Sequence, residues 1–133
     1  MGHRIERSGG QMVRVTYFGE VGFGERTEAI QSAASLMAQA GCHQLLVDFS
    51  NARVFEEGQT ARADYLARMI VAPWPDHTRI APLNAPQSAL FPGQIGGAVR
   101  GIEVRGFFVE REAIDWLVGI APTRDQSAPS ALG

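Results

Sequence analysis

The sequence predicts an α/β fold: one domain with a mixed sheet of about five strands, helices packed on it, and the order ββαβαβαβα. Three observations carry this. The run Leu45-Leu46-Val47-Asp48-Phe49 is short, apolar and bounded by polar and turn residues, which reads as a strand buried on both faces. Segments of helical period flank it on both sides, as they do around a central strand of an α/β sheet. Two alternating segments near the start are joined by Ser8-Gly9-Gly10, a composition suited to a tight turn.

In chain order, residues 3–7 and 11–18 are expected to form an antiparallel hairpin at one edge. Val13, Val15 and Tyr17 lie on its more apolar face. Residues 19–24 break the alternation. From Gly24 to Ala40 the period becomes helical. Ala29, Ile30, Ala33, Ala34, Met37 and Ala40 form the inner stripe, and Glu25, Arg26, Glu28 and Gln31 are read as facing away. Gly41 supplies the stop. The buried strand covers 43–49, and 50–58 reads as a loop. A helix follows over 59–70, with Ala63, Leu66, Ala67, Met69 and Ile70 inward, ended by Pro73-Trp74-Pro75. Residues 78–83 form the next strand, with Pro82 expected at its end or on an unpaired side. Residues 85–101 predict a helix broken at Pro92-Gly93 and weakened by Gly96 and Gly97. The last strand is placed at 103–109 and the last helix at 110–118. The domain is expected over 1–119, with a flexible tail over 120–133 rich in Pro, Ser, Ala and Thr.

Composition excludes several classes. The 133 residues suit a single domain with a real core. A net charge of −2 leaves no electrostatic footprint for nucleic acid or an anionic membrane. No apolar run approaches the roughly 18 residues of an integral membrane span. The start of the chain lacks the pattern of a signal peptide. Cys42 stands alone, so no internal disulfide forms, which suits a cytoplasmic location.

Four groups of residues carry the resemblance to a known family: Gly19-Glu20 after the second strand, Leu45 to Phe49 in the centre, Arg79-Ile80-Ala81 in the next strand, and the closing Phe107-Phe108 and Ala113-Ile114-Asp115-Trp116-Leu117. Over residues 3–118 this ordered set resembles the SpoIIAA-like family, close to the STAS domains of anti-anti-sigma factors. The resemblance implies a mixed sheet backed by helices, a fold also similar to CRAL-TRIO lipid-transfer domains. It implies partner binding rather than catalysis. In STAS domains binding is switched by phosphorylation of a serine at the start of the helix after the central strand. Here that region is Phe55-Glu56-Glu57-Gly58-Gln59-Thr60, without a serine. Glu56 and Glu57 would give a permanently anionic helix start, since a phosphate adds about −1.5 to −2 charge at neutral pH. Thr60 reads better as an N-cap or first-turn residue.

Ligands of open α/β sheets sit beyond the carboxyl ends of the strands. That rim would hold Asp48, Ser50, Asn51, Leu83, Asn84 and the 55–60 loop. Asp48 could bind a ligand or act as a base, but a partly buried carboxylate more often caps a helix or accepts loop amides. Glu56 and Glu57 are adjacent and point apart, which is wrong for an acid/base pair. His3, His43 and His77 are scattered, with no metal spacing to Cys42. Cys42 and His43 alternate onto opposite strand faces, and Cys42 reads as core. Residues 93–101 are glycine-rich but match neither the dinucleotide fingerprint nor the Walker pattern. No catalytic residue, metal or cofactor is therefore expected. Phe55, Tyr65, Trp74 and Phe91 could line an apolar cleft for a small nonpolar ligand, or form core or a homodimer face. The expected partner is a protein or a second copy of the chain.

Overall fold

The computed structural model describes residues 2–8, 10–55 and 57–119; Gly9, Glu56 and the tail expected over 120–133 lie outside them. β1 (Gly2–Ser8) and β2 (Met12–Val21) pair antiparallel. They are followed by α1 (Phe23–Ala40), β3 (Gln44–Val54), α2 (Gln59–Val71), β4 (Arg79–Leu83), α3 (Gln87–Arg100), β5 (Glu103–Val104) and α4 (Glu110–Val118). The strands lie in the order β1-β2-β3-β4-β5, and every pair after the first is parallel. This five-stranded mixed sheet with four helices is the architecture the sequence predicts. Among the described residues, no helix is long and apolar enough to cross a membrane.

β3 is buried on both faces, as its apolar run requires. Leu45, Val47 and Phe49 pack with Ala29, Ala33 and Met37 of α1, Tyr65 and Met69 of α2, and Ala89 of α3. Leu46 faces the other way, with Met12, Ala81, Leu83, Ala113 and Leu117. Three helices thus cover one face of the sheet, and α4 covers part of the other. Gly41 ends α1 in the left-handed conformation, with φ 72°, as its position implies. Cys42 is a buried core thiol.

Several expectations are corrected. β2 does not stop at 18, and residues 50–54 are strand rather than loop. The two strands continue side by side to the Val21–Val54 pair. One residue of β2, Tyr17, faces two of β3, Phe49 and Ser50, so β3 carries a bulge there. The bulge passes Ala52 and Val54 onto the helix-covered face, where both pack against the core. β5 is only two residues long instead of 103–109, although Phe107 N still donates to Pro82 O at 2.9 Å. Pro82 sits one residue inside β4, and its carbonyl points towards β5. Its missing N–H therefore falls on the side where regular pairing has stopped.

On α2 the buried line is Tyr65 and Met69, with Ala61 and Leu66 partly covered; Ala63 and Ala67 are exposed. On α1, Arg26 does not face away. It is 2% exposed, on the same stripe as Phe23, Ile30 and Ala33.

α3 is one continuous helix, not two pieces. Pro92 removes only the bond to the carbonyl of Ser88, which lies at the exposed start of the helix. The glycines hold the helix close rather than loosening it. A Cβ on Gly96 would stand 2.7 Å from Met69 Cγ. One on Gly97 would stand 2.6 Å from Val104 Cγ2 and 3.1 Å from the carbonyl oxygen of Ile102. Gly97→Ala is therefore expected to lower the unfolding free energy by about 1–3 kcal/mol through overpacking. This should hold even though alanine is better in a helix by about 1 kcal/mol. Urea denaturation measures it; a stabilised variant would show that α3 is free to back away.

Candidate functional site

The residues singled out at the strand ends do not meet in one place, because the sheet divides them. On the α4 side, Asp48 is buried and accepts from Arg14 Nη2 at 2.8 Å and from the Ser50 amide at 2.8 Å. Arg14 also reaches Glu110 at 3.1 Å. Burial alone would raise the Asp48 carboxyl, but the hydrogen bonds from Ser50 and Arg14 outweigh it and hold the carboxyl below its ordinary value. Ser50 Oγ accepts from Asn84 Nδ2 at 2.8 Å. Ser50 and Asn51 line a shallow groove with Gly19, Glu20 and Arg53.

The other face holds the better-formed concavity. α1, α2 and α3 all begin at the same end of the sheet, where β3 delivers Val54 and Phe55. Their first turns enclose a cleft of about 360 Å³, lined by Phe23, Arg26, Phe55, Glu57, Arg62 and Phe91, among others. Phe55 and Phe91 are 42% and 50% exposed. Of the four aromatics considered together, only these two line the cleft. Tyr65 is buried behind it, with its ring 5.5 Å from that of Phe23. Trp74 lies past the far end of α2, in the core, and its Nε1 donates to Met69 O at 2.8 Å.

Glu57 does not sit in the first turn of α2, where Gly58 is the N-cap. Its Oε1 accepts instead from the amides of Phe23, at 2.5 Å, and Gly24, at 3.4 Å. It thus caps α1, whose own N-cap, Gly22, offers no side chain. Thr60, the second residue of α2, is exposed and does not line the cleft. Glu56 lies outside the described residues.

Arg26 is the feature that reading the residue types missed. Its guanidinium lies over the Phe23 ring at 4.2 Å and the Tyr65 ring at 5.3 Å. Nε makes a long contact, 3.4 Å, to Gly22 O. Nη1 is buried with no hydrogen-bond partner among the described residues. Among the described residues no carboxylate forms an ion pair with it. Burial lowers its pKa from the ordinary arginine value. The signal was present in the spacing, since position 26 is three before Ala29, four before Ile30 and seven before Ala33.

One further grouping has no local signature. His3 of β1 bonds Glu25 of α1, and the donor atoms of His3, Glu25 and Glu28 lie within 4.8 Å of one another. Only the packing of α1 beside β1 brings them together.

The fold is that of a small α/β domain with a five-stranded mixed sheet and four helices. No protein-family model matches the chain, and no curated protein matches it significantly. Solved structures carry the likeness. The anti-sigma factor antagonist SpoIIAA in its unphosphorylated form aligns with a TM-score of 0.60 at 18% identity, covering 90% of this chain and 100% of that one. The Bacillus cell fate determinant SpoIIAA in its phosphorylated form gives 0.51 at 17%, covering 86% and 98%. An uncharacterized Shewanella loihica protein with a SpoIIAA-like fold gives 0.55 at 19%, covering 87% and 92%. At these identities the likeness is one of fold.

Proposed function

We propose that this chain is a non-catalytic, cytoplasmic STAS-like module that works by binding, and that its working surface is the end of the molecule where the cleft opens. The observation that carries the reading is the exposure of Phe55 and Phe91 at the mouth of the cleft. Ile95 and Val99 continue the apolar line along α3 at four-residue spacing, 37% and 65% exposed. Large apolar side chains in such a line are the usual anchors of a helix-face contact. The SpoIIAA-like fold supports a regulatory role. The 55–60 loop contributes to the contact, and without a serine there the reading does not rest on a phosphate switch. The favoured partner is a second copy of the chain.

Phe55→Ala/Phe91→Ala is expected to weaken a homodimer by about tenfold or more in sedimentation velocity, since central aromatic anchors contribute about 2 kcal/mol or more. A wild-type protein that stays monomeric at high concentration, or a double variant that associates unchanged, would sink this reading.

A second reading is favoured by the cleft itself. Its volume of about 360 Å³ falls in the range of small-molecule sites, about 300–1,000 Å³. On this reading the protein carries a small, largely nonpolar ligand. Native mass spectrometry of protein purified from its own host should then show added mass, and a bare chain mass would count against it.

A further inference from the structure

The cleft has apolar walls, but its charge is one-sided. Arg26 lies at its floor and Arg62 at its rim. Glu57 is the one acid among the lining residues described, and its Oε1 is committed to the Phe23 and Gly24 amides. Arg26 is 2% exposed and its Nη1 has no partner among the described residues. A buried guanidinium normally has a carboxylate, a carbonyl or a phosphate against its fork. Its aromatic neighbours, Phe23 and Tyr65, offer it ring faces, 4.2 and 5.3 Å away. Arg26 also borders a void of about 30 Å³ lined by core residues such as Ile30, Leu45 and Met69. The same cleft already seats one carboxylate, that of Glu57 on the Phe23 and Gly24 amides at the first turn of α1.

We propose that the cleft binds a small organic anion with an apolar body: a carboxylate-type charge held by Arg26 and Arg62, and a body lying between Phe55 and Phe91. This rests on the reading of the cleft as a ligand site and adds the class of ligand. Two features of the site set that class. The fork of Arg26 demands an acceptor, which a hydrocarbon does not supply. The aromatic walls demand apolar surface, which a free inorganic anion does not supply. Glu57 is a like charge at the mouth and opposes the ligand. Replacing Glu57 with an uncharged residue therefore favours the bound state.

The test uses a matched pair of fluorescent probes: 1-anilinonaphthalene-8-sulfonate, and N-phenyl-1-naphthylamine, the same ring system without the charge. The full chain is titrated with each, and bound dye is displaced with decanoate or with decanol. The expected result is that the anionic probe binds at least about tenfold more tightly than the neutral one, the margin of a charge-assisted hydrogen bond. Arg26→Met, checked for folding by circular dichroism, should erase that difference while keeping the neutral probe within about twofold. Phe91→Ala should weaken both probes, and decanoate should displace where decanol does not. Glu57→Gln is an independent arm: it should tighten the anionic probe several-fold and leave the neutral one alone. Equal binding of both probes, unchanged in Arg26→Met, would overturn the charged-ligand inference while leaving a nonpolar ligand standing. Binding that ignores Phe91→Ala would place the dye elsewhere and overturn it too. If neither probe binds, the ligand reading of the cleft falls and this inference falls with it.

Discussion

Arg26→Met is expected to raise the unfolding free energy of the unliganded protein by about 1–2 kcal/mol. The guanidinium stays charged in the fold, yet burial has stripped its water and Nη1 has no replacement partner among the described residues. Desolvating an ion costs several kcal/mol even after relaxation. Against this stand two ring contacts, each about 0.5–2 kcal/mol, and the long bond to Gly22 O. Methionine fills a similar volume, keeps contact with Phe23 and Tyr65 through its sulfur, and brings no charge to bury. The balance therefore favours the variant. Paired urea melts decide the matter. A loss of more than about 1 kcal/mol would mean that the arginine ties the fold together and that its burial needs no ligand to explain it.

Asp48→Asn should act in the opposite direction, lowering stability by about 1–3 kcal/mol at neutral pH. The carboxylate accepts from both Arg14 and the Ser50 amide, and asparagine leaves one charged donor poorly matched. The effect should depend on pH with a definite sign. The folded carboxyl lies below its unfolded value. Its contribution is therefore complete above the unfolded value, about 3.9. It is lost as pH falls below that value and through the folded one. Urea melts at pH 7 and pH 3 should show the gap between wild type and variant narrowing at the lower pH. A gap of the same size at both would mean that packing, not charge, holds Asp48.

The two effects mark the two ends of what residue patterns conveyed. Strands and helices of strong period were legible, because the core that organises them is local in its spacing: Leu45 to Phe49, the Ala29–Met37 stripe, Ala113 and Leu117. The bulge at Phe49-Ser50 was not, because the extra residue is defined only against Tyr17 on the neighbouring strand. The continuity of α3 was hidden because glycine reads as a helix breaker unless its neighbour is known, and Met69 and Val104 are distant in sequence. At the site, Phe55 and Phe91 were legible only as aromatics that could line a cleft, form core or make a dimer face, and Glu57 as part of the rim loop. The capping of α1 by Glu57 needs a contact between residues thirty-four apart. Arg26 was masked by its type, since a charged residue on an apolar stripe is ordinarily assigned to the solvent side.

The strand order has a kinetic meaning. Because β1 to β5 lie side by side in the order in which they occur along the chain, every pairing closes over one turn or one helical crossover. Each strand adds to the outer edge left by the one before it, and none has to insert between two that are already paired. After the first tight turn the three crossovers are similar in length, so the entropy of closure is spread over them instead of gathering in one late, long-range step. A chain emerging amino end first can extend its sheet outward strand by strand, and the two-residue β5 is the last and smallest addition to that growing edge.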